Sequence, residues 1–279
     1  RARGVRLTSG DVVTAERAVV CNVTPPQLYG RLLADGDVPS TVREAALRFR
    51  FGRSEMQIHF ALSDPPTWNG DEQLGRTAIV HMTPGLDGVS RAVNEAERGL
   101  LPAEATIVVG QPLAVDDSRA PTGSGLLWIQ LQELPWRVKG DAAGEIDVGD
   151  GTWTESLRER YADRIQARLA RHIPNLESSI RRRVVLSPAD LQAANINLAQ
   201  GDPYSGSLAL DQNFTWRPFA QQPGHRTPIP GLFHIGASTW PGPGLGAGSG
   251  TLVANDLLRP PAAERALRRL RALGRRGQA

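Results

Sequence analysis

The chain has 279 residues, of which 40% are hydrophobic and 22% are charged, so it can bury a sizeable core and its composition argues against wholesale disorder. The formal net charge is +3, and basic residues are concentrated in the arginine-rich segment that starts at Arg259. No basic stripe is interleaved with aromatic residues, so nucleic-acid binding is not expected. A single cysteine, Cys21, excludes an internal disulfide and favours a cytoplasmic location.

The first thirty residues predict a hairpin, a strand and the start of a helix. Alternating apolar residues at 5–7 and 12–13 flank a turn at 9–11. A short apolar strand at 18–21 is followed by two prolines at 25–26, which suit the first turn of a helix.

The middle of the chain, residues 41–135, predicts a mainly antiparallel sheet. Polar and proline-rich loops separate its strands, which favours antiparallel pairing over a βαβ winding. A helical spacing of apolar residues predicts one helix over 86–100, capped by Asp87. The predicted strands are 54–62, 76–82, 105–112 and 125–134.

The next part of the chain predicts two helices, one strand and a long irregular segment. Apolar residues at helical spacing predict a helix over 153–173, and a strand at 182–186 precedes a short helix from about Pro188. Residues 199–230 have poor periodicity and many glycines and prolines. Their aromatic side chains argue against disorder, so this segment is predicted to be a functional loop.

The sequence GLFHIGASTWPGPGLGAGSGTLVANDLL, residues 231–258, predicts a strand at 232–235, a glycine-rich loop and a helix at 251–258. Glycines let a ligand approach the backbone, and a helix start supplies unpaired N–H donors. The loop fits a G-x-G-x-x-A pattern, but six residues separate it from the strand and no second strand with an acidic ribose ligand follows. The pattern indicates a secondary cofactor element, and a turn that only packs helix on strand is the alternative.

The segment GLFHIGASTWPGPGLGAGSG resembles the C-terminal flavin motif of the phytoene-desaturase-like family of FAD-dependent oxidoreductases, a branch of the amine-oxidase-like flavoproteins. Residues 187–232 are similar to the segment that precedes this motif, and the opening GVRLTSGDVVTAERAVVCN resembles the strands that return to the FAD domain. The resemblance covers nearly the whole chain. It implies FAD as the cofactor, and it implies that the ADP-binding βαβ unit belongs to a missing N-terminal half or a separate subunit.

The resemblance also implies the fold class, which is α/β and α+β. An incomplete FAD-binding Rossmann-like domain would consist of residues 1–30 and 226–260, and a mainly antiparallel substrate-binding domain with helices would consist of 31–225. A basic tail, 261–279, would follow. The tail could contact an anionic membrane peripherally, and a solvated terminus is the alternative.

The flavin-binding residues are implied by the same resemblance. Gly236, Ala237 and Ser238 would close on the pyrophosphate and ribityl end, where small residues allow backbone approach. Trp240 stands where carotenoid desaturases commonly have histidine, which counts against a polyene substrate. Near the helix start, N–H donors would point at the N1/C2 carbonyl edge, which is negative in reduced flavin. The residues implied there are Gly244, Leu245, Gly246 and Gly250.

A second candidate site lies in the irregular segment. Asp211, Trp216 and Arg217 are catalytic candidates, with Arg217 holding an anionic group and Trp216 stacking on a ligand. The alternative is that Asp211 pairs with Arg217 while Phe214 and Trp216 fill the core. No general base is identified, and flavin hydride transfer requires none.

Histidines and serines offer little further chemistry. His59 and His81 lie on predicted strands and could face a substrate cavity, with ordinary strand histidines as the alternative. Their spacing does not suit a metal, so no metal site is predicted. Hydrophobic substrate recognition is expected from apolar strand faces such as 128–131. Ser238 and Ser249 lack the context of a hydrolase nucleophile.

Together these features predict the C-terminal part of an FAD-dependent oxidoreductase of the dehydrogenase or desaturase type. The intact enzyme would transfer hydride from a hydrophobic small-molecule substrate to flavin and be reoxidised by oxygen or a quinone-like acceptor. The rival interpretation is a non-catalytic binding or scaffolding module derived from such a flavoprotein.

Overall fold

The computed structural model describes residues 1–244 and 246–259, and the chain divides into two compact units. Unit 1 consists of Arg1–Phe49 together with the chain from Leu208 onward, and unit 2 consists of Arg50–Ser207. The boundaries between the two units therefore lie near residues 49 and 207 of the sequence, whereas the predicted domain boundaries lay near 30 and 225. The predicted basic tail, 261–279, lies outside the described residues.

Strands are short in unit 1 and longer in unit 2. In the described ranges they are β1 (Gly4–Arg6), β2 (Val12–Thr14), β3 (Val19–Cys21), β4 (Ser54–Leu62), β5 (Ile79–Met82), β6 (Leu100–Leu101), β7 (Ile107–Gly110), β8 (Gly125–Leu134), β9 (Gly140–Asp141), β10 (Ile180–Leu186) and β11 (Leu232–His234).

Helices occur in both units. Those described are α1 (Pro25–Gln27), continued by a π-helical turn over Leu28–Leu32, α2 (Ser40–Leu47), α3 (Gly85–Glu97), α4 (Glu155–Ala170), α5 (Leu176–Ser179), α6 (Pro188–Ala194) and α7 (Gly248–Leu258). Across residues 1–244 and 246–259, none of these helices has the length and apolar character required to cross a bilayer.

The described residues of unit 1 form two small sheets. β1 and β2 pair antiparallel with Val5 opposite Val13, which confirms the predicted hairpin. β3 and β11 pair in parallel, with Leu232 opposite Val19 and His234 opposite Cys21. The parallel pair brings the end of the first segment beside the start of the glycine-rich loop, although about 210 residues separate them.

Unit 2 is built on a five-stranded sheet with the order β10-β4-β8-β7-β5, in which every pair of neighbours is antiparallel. This arrangement confirms the predicted mainly antiparallel sheet. Alternate residues of β4 and β8 are buried, as strand periodicity requires. One face of the sheet therefore contributes to the hydrophobic core, together with side chains of α4.

The helix α4 supplies the other side of this core. Thr154 caps it by accepting a hydrogen bond from the Leu157 backbone N–H. Leu157, Tyr161, Ile165 and Leu169 are buried at helical spacing, and each such side chain contributes about 1.5–3 kcal/mol on burial. The Tyr161 hydroxyl remains satisfied because it donates to the Pro102 carbonyl oxygen at 3.1 Å.

Two local predictions in unit 2 are wrong in detail. The helix α3 begins at Gly85 and has Pro84 at its N-cap, so Asp87 lies inside the first turn and favours the helix through its dipole. The strand predicted from residue 76 begins only at Ile79, because a 3₁₀ turn over Glu72–Arg76 occupies the preceding residues.

A carboxylate at the edge of unit 2 anchors α4. Asp141 accepts hydrogen bonds from both terminal nitrogens of Arg164, at 2.7 and 2.6 Å, and from the backbone N–H groups of Glu145 and Ile146. Burial works to raise the pKa of Asp141, but the bonds from Arg164 and the backbone outweigh it and the pKa is lowered. The carboxylate is therefore more acidic in the folded chain than in the unfolded chain.

Replacement of this carboxylate should remove a pH-dependent part of the stability. We expect Asp141→Asn to cost about 1.5–3 kcal/mol near pH 7, the range for hydrogen bonds to charged groups. Because the folded pKa is depressed, this contribution is present above the unfolded pKa of about 3.9 and is lost as pH falls below it. Urea titrations at pH 7 and pH 3 test this, with exposed Asp147→Asn as the control; an equal deficit at both pH values would contradict it.

Candidate functional site

The glycine-rich loop of unit 1 starts at a tightly enclosed glycine. Gly236 has a φ of +97°, and a Cβ atom there would overlap the Asn22 side-chain oxygen. Its backbone N–H donates to the Ser249 hydroxyl at 2.9 Å. Gly236 is therefore held between the end of β3 and the first turn of α7.

The residues after Gly236 form a compact turn. The Thr239 backbone N–H and hydroxyl both donate to the Gly236 carbonyl oxygen, at 3.0 and 2.9 Å. Gly242 donates its N–H to the Thr239 carbonyl oxygen at 2.7 Å. Ser238 is buried within this turn, whereas Gly236 and Ala237 are half-buried.

A buried arginine lies beneath the turn. The Arg217 side chain is fully buried, and its Nε donates to the Ala237 carbonyl oxygen at 2.8 Å. A Cβ at Gly242 would lie 3.8 Å from the same Nε. Arg217 belongs to the second candidate site and Ala237 to the glycine-rich loop, 20 residues later in the sequence. Their hydrogen bond joins the two candidate sites, with Arg217 positioning the loop backbone.

Other residues of the second candidate group point outward. Asp211 is exposed, and Phe214 and Trp216 are 53% and 52% exposed, so the interpretation that these two aromatics fill the core is wrong. The Phe214 ring lies 6.2 Å from the ring of Trp240, which is also exposed. This surface presents aromatic side chains beside the glycine-rich loop.

The helix α7 begins at Gly248, earlier than the predicted start at 250–251, after Ala247 in a left-handed conformation. In the described chain, its first turn contains no acidic residue and no side chain caps it. The first N–H groups of a helix have no intrahelical acceptor, so this end can hold an anion. Gly244, with a φ of +149°, and Gly246 lie in the exposed approach to it, and the predicted Leu245 lies outside the described residues.

The strand leading to the loop carries a buried neutral histidine. The His234 Nε2 donates to the Val23 carbonyl oxygen at 2.6 Å, and burial lowers the pKa of His234 to about 4. Because it stays uncharged near neutral pH, His234 can link β11 to the segment after β3 inside the core of unit 1.

In unit 2, a cavity of about 580 Å³ lies on the sheet face opposite the hydrophobic core. One row of paired residues crosses this face, and every member of the row lines the cavity. Gly110 is essential to the row, because a Cβ there would lie 2.7 Å from Cε3 of the Trp128 ring. The row is Val184, His59, Trp128, Gly110 and Ile79.

A polar network continues from this row along the same face of β4. The Gln57 and Gln130 side-chain amides donate to the two oxygens of Glu55, at 2.7 and 2.6 Å. His59 Nε2 lies 3.3 Å from the Gln57 side-chain oxygen. Burial raises the pKa of Glu55, which is only 1% exposed, and burial also lowers the pKa of His59.

The cavity is mainly apolar. Its described lining contains two charged side chains, Arg119 and Arg182, and no acidic residue. Trp128 lines it as the predicted apolar strand face suggested, and so does His59. His81 faces the same side of the sheet but is exposed and lies outside the described lining.

No protein-family profile matches the chain. Curated relatives nevertheless match most of it. Pyridine nucleotide-disulfide oxidoreductase domain-containing protein 2 is 24% identical in Mus musculus and 28% identical in Rattus norvegicus, over 93% of this chain and 44% of each relative. The zeta-carotene-forming phytoene desaturase of Myxococcus xanthus is 29% identical over 88% of this chain and 42% of that protein. The chain is therefore similar to curated oxidoreductases, among them a phytoene desaturase.

These homologues confirm the family resemblance given by the flavin motif. The chain spans less than half the length of the curated relatives it matches. Among solved structures, an oxidoreductase from Methanosarcina mazei superposes with a TM-score of 0.41 and 10% identity, over 86% of this chain and 41% of that one.

Sequence reasoning missed the polar network of unit 2. Glu55, Gln57 and His59 occupy alternate positions of one predicted strand, so strand periodicity places them on a single face. The alternation could have indicated a polar face on this strand, since Met56 and Ile58 between the polar residues are apolar. The partnership with Gln130 required the strand register.

The enclosed glycine at position 236 gives a direct test of the loop geometry. We expect Gly236→Ala to destabilise the protein by more than about 2 kcal/mol, because the added Cβ meets Asn22 in a backbone conformation unfavourable to alanine. Gly250→Ala is the control: a Cβ there meets nothing within 4 Å, so helix propensity should stabilise the chain by up to about 1 kcal/mol. Urea unfolding measures both, and equal midpoints would contradict the described loop.

Proposed function

We propose that this chain is the C-terminal part of an FAD-dependent oxidoreductase that transfers hydride from a hydrophobic substrate to flavin. The observation that carries the proposal is the match to the Myxococcus xanthus protein, whose name describes a phytoene desaturase, over 88% of this chain. In this proposal unit 1 holds the flavin and unit 2 holds the substrate. The redox names of the relatives favour this function over a non-catalytic scaffold.

The residues of unit 1 fit a flavin. Bound FAD would supply the hydride acceptor. The half-buried backbone at Gly236 and Ala237 would face the pyrophosphate and ribityl end, with Arg217 fixing the path of that backbone from beneath. The open N-terminus of α7, around Gly248 and Gly250, would donate N–H groups to the N1/C2 edge and stabilise its negative charge.

Unit 1 also has surfaces that suit a further segment. Val5, Val12, Val13 and Val20 are each close to half exposed on short strands, and the β3–β11 pair is only two strands wide in the described chain. Exposed strand edges of this kind are usually paired or covered. We assign this role to the ADP-binding βαβ segment, which would complete a Rossmann-like domain and is either N-terminal to this chain or a separate subunit.

The cavity of unit 2 suits a hydrophobic substrate. Its volume of about 580 Å³ lies within the ordinary range for small-molecule sites. Trp128 and Ile79 provide apolar walls against which an apolar molecule could pack.

A charge placed at the start of α7 tests the flavin assignment. Gly250→Asp adds a carboxylate where a Cβ has open space, so it should repel reduced flavin without a steric clash. With the chain expressed together with its ADP-binding segment, we expect the flavin midpoint potential to fall by about 20 mV or more, since one kcal/mol corresponds to roughly 20 mV for two electrons.

Asn255→Asp is the matched control, because it adds the same charge to the exposed middle of the same helix. Its potential should remain near that of the parent protein. Equal potentials in both variants would show that α7 does not face the flavin ring. Purified protein that lacks the visible absorbance of oxidised flavin would overturn the proposed function itself.

A further inference from the structure

The orientation of one glutamine side chain determines what kind of polar group the unit 2 cavity can bind. Both oxygens of Glu55 accept hydrogen bonds from side-chain amides. The Gln57 amide turns its NH₂ group toward Glu55, to which it donates at 2.7 Å. The Gln57 carbonyl oxygen is then left facing His59.

This orientation selects the tautomer of His59. A carbonyl oxygen can only accept a hydrogen bond, so the Nε2 atom of His59 must carry the proton that faces Gln57. In neutral imidazole the other nitrogen, Nδ1, is then a bare acceptor. Because His59 lines the cavity, a ligand that bonds to it through Nδ1 must bring a hydrogen-bond donor.

The charges around the cavity determine which kind of hydrogen-bond donor a ligand can bring. Arg119 and Arg182 line it, and its described lining contains no acidic residue, so an ammonium group would meet two positive charges and no counter-ion. A neutral hydroxyl brings a donor without that cost. The remaining lining is largely apolar, and the Trp128 ring packs closely against Gly110 of β7 and lies at the strand position paired with His59.

We propose that the unit 2 cavity binds a planar or aromatic apolar molecule with one neutral hydroxyl group, which donates a hydrogen bond to Nδ1 of His59. This inference rests on the proposed function in one respect, which is that the bound molecule is the substrate of the oxidoreductase. The substrate would then carry a hydroxyl group and would not be a plain hydrocarbon. The binding site itself requires only unit 2 residues.

Two matched probes test the donor requirement in the full 279-residue chain. 2-Naphthol carries a hydroxyl donor, and 2-methoxynaphthalene has the same ring system without a donor. Isothermal titration calorimetry should show 2-naphthol binding about fivefold tighter, the affinity that one net neutral hydrogen bond supplies. The cationic 2-naphthylmethylamine should bind more weakly than 2-naphthol.

Three variants test whether His59 causes the preference for 2-naphthol. His59→Phe should bring the ratio of the two dissociation constants to about one, whereas His81→Phe makes the same change on the same sheet face outside the cavity lining and should leave the ratio unchanged. Gln57→Leu keeps His59 but removes the acceptor that fixes its tautomer, so the ratio should fall below that of the parent. This second variant keeps the test valid if His59→Phe fails to fold.

Equal affinity for the two naphthalenes, no binding of either probe, or an unchanged preference in His59→Phe would each overturn the inference. These failures are distinct from failure of the proposed function. If the chain prefers 2-naphthol over 2-methoxynaphthalene but never binds flavin, the hydroxyl site is supported and the oxidoreductase function is rejected. If the protein binds flavin but shows no preference between the two probes, only the hydroxyl site is rejected.

Discussion

The two-residue period of β4 is the constraint on which unit 2 depends. Met56, Ile58 and Phe60 enter the hydrophobic core, while Glu55 and His59 lie on the opposite face. A register slip of one residue would bury a carboxylate in the core and expose three large apolar side chains. The stability of the sheet therefore fixes the position of the polar network, which reaches the cavity lining at His59.

Unit 1 depends on polar contacts to a greater extent. Gly236 is held by Asn22 and Ser249, and Arg217 supports the loop at Ala237. Such contacts specify one backbone path where there is no apolar periodicity to do so. The proposed flavin cradle is thus a loop whose shape is determined by buried polar groups.

Local patterns predicted local structure well. The strands at 54–62 and 125–134 were predicted with their observed bounds, because alternation of apolar residues is contained within each strand. The start of α3 was missed, since Pro84 and Gly85 begin the helix without a side-chain cap. The sequence motif also indicated the homologues, which the chain matches over most of its length.

Contacts between irregular segments were beyond sequence reasoning. Nothing in the spacing of Arg217 and Ala237 indicates their hydrogen bond, and the exposure of Phe214 depends on the same tertiary arrangement. The central claim, that strand alternation builds a fixed polar group at the cavity, is tested most directly by nitrogen-15 NMR of His59. We expect a neutral ring protonated at Nε2 at pH 7. A ring protonated at Nδ1, or a charged ring, would contradict the account.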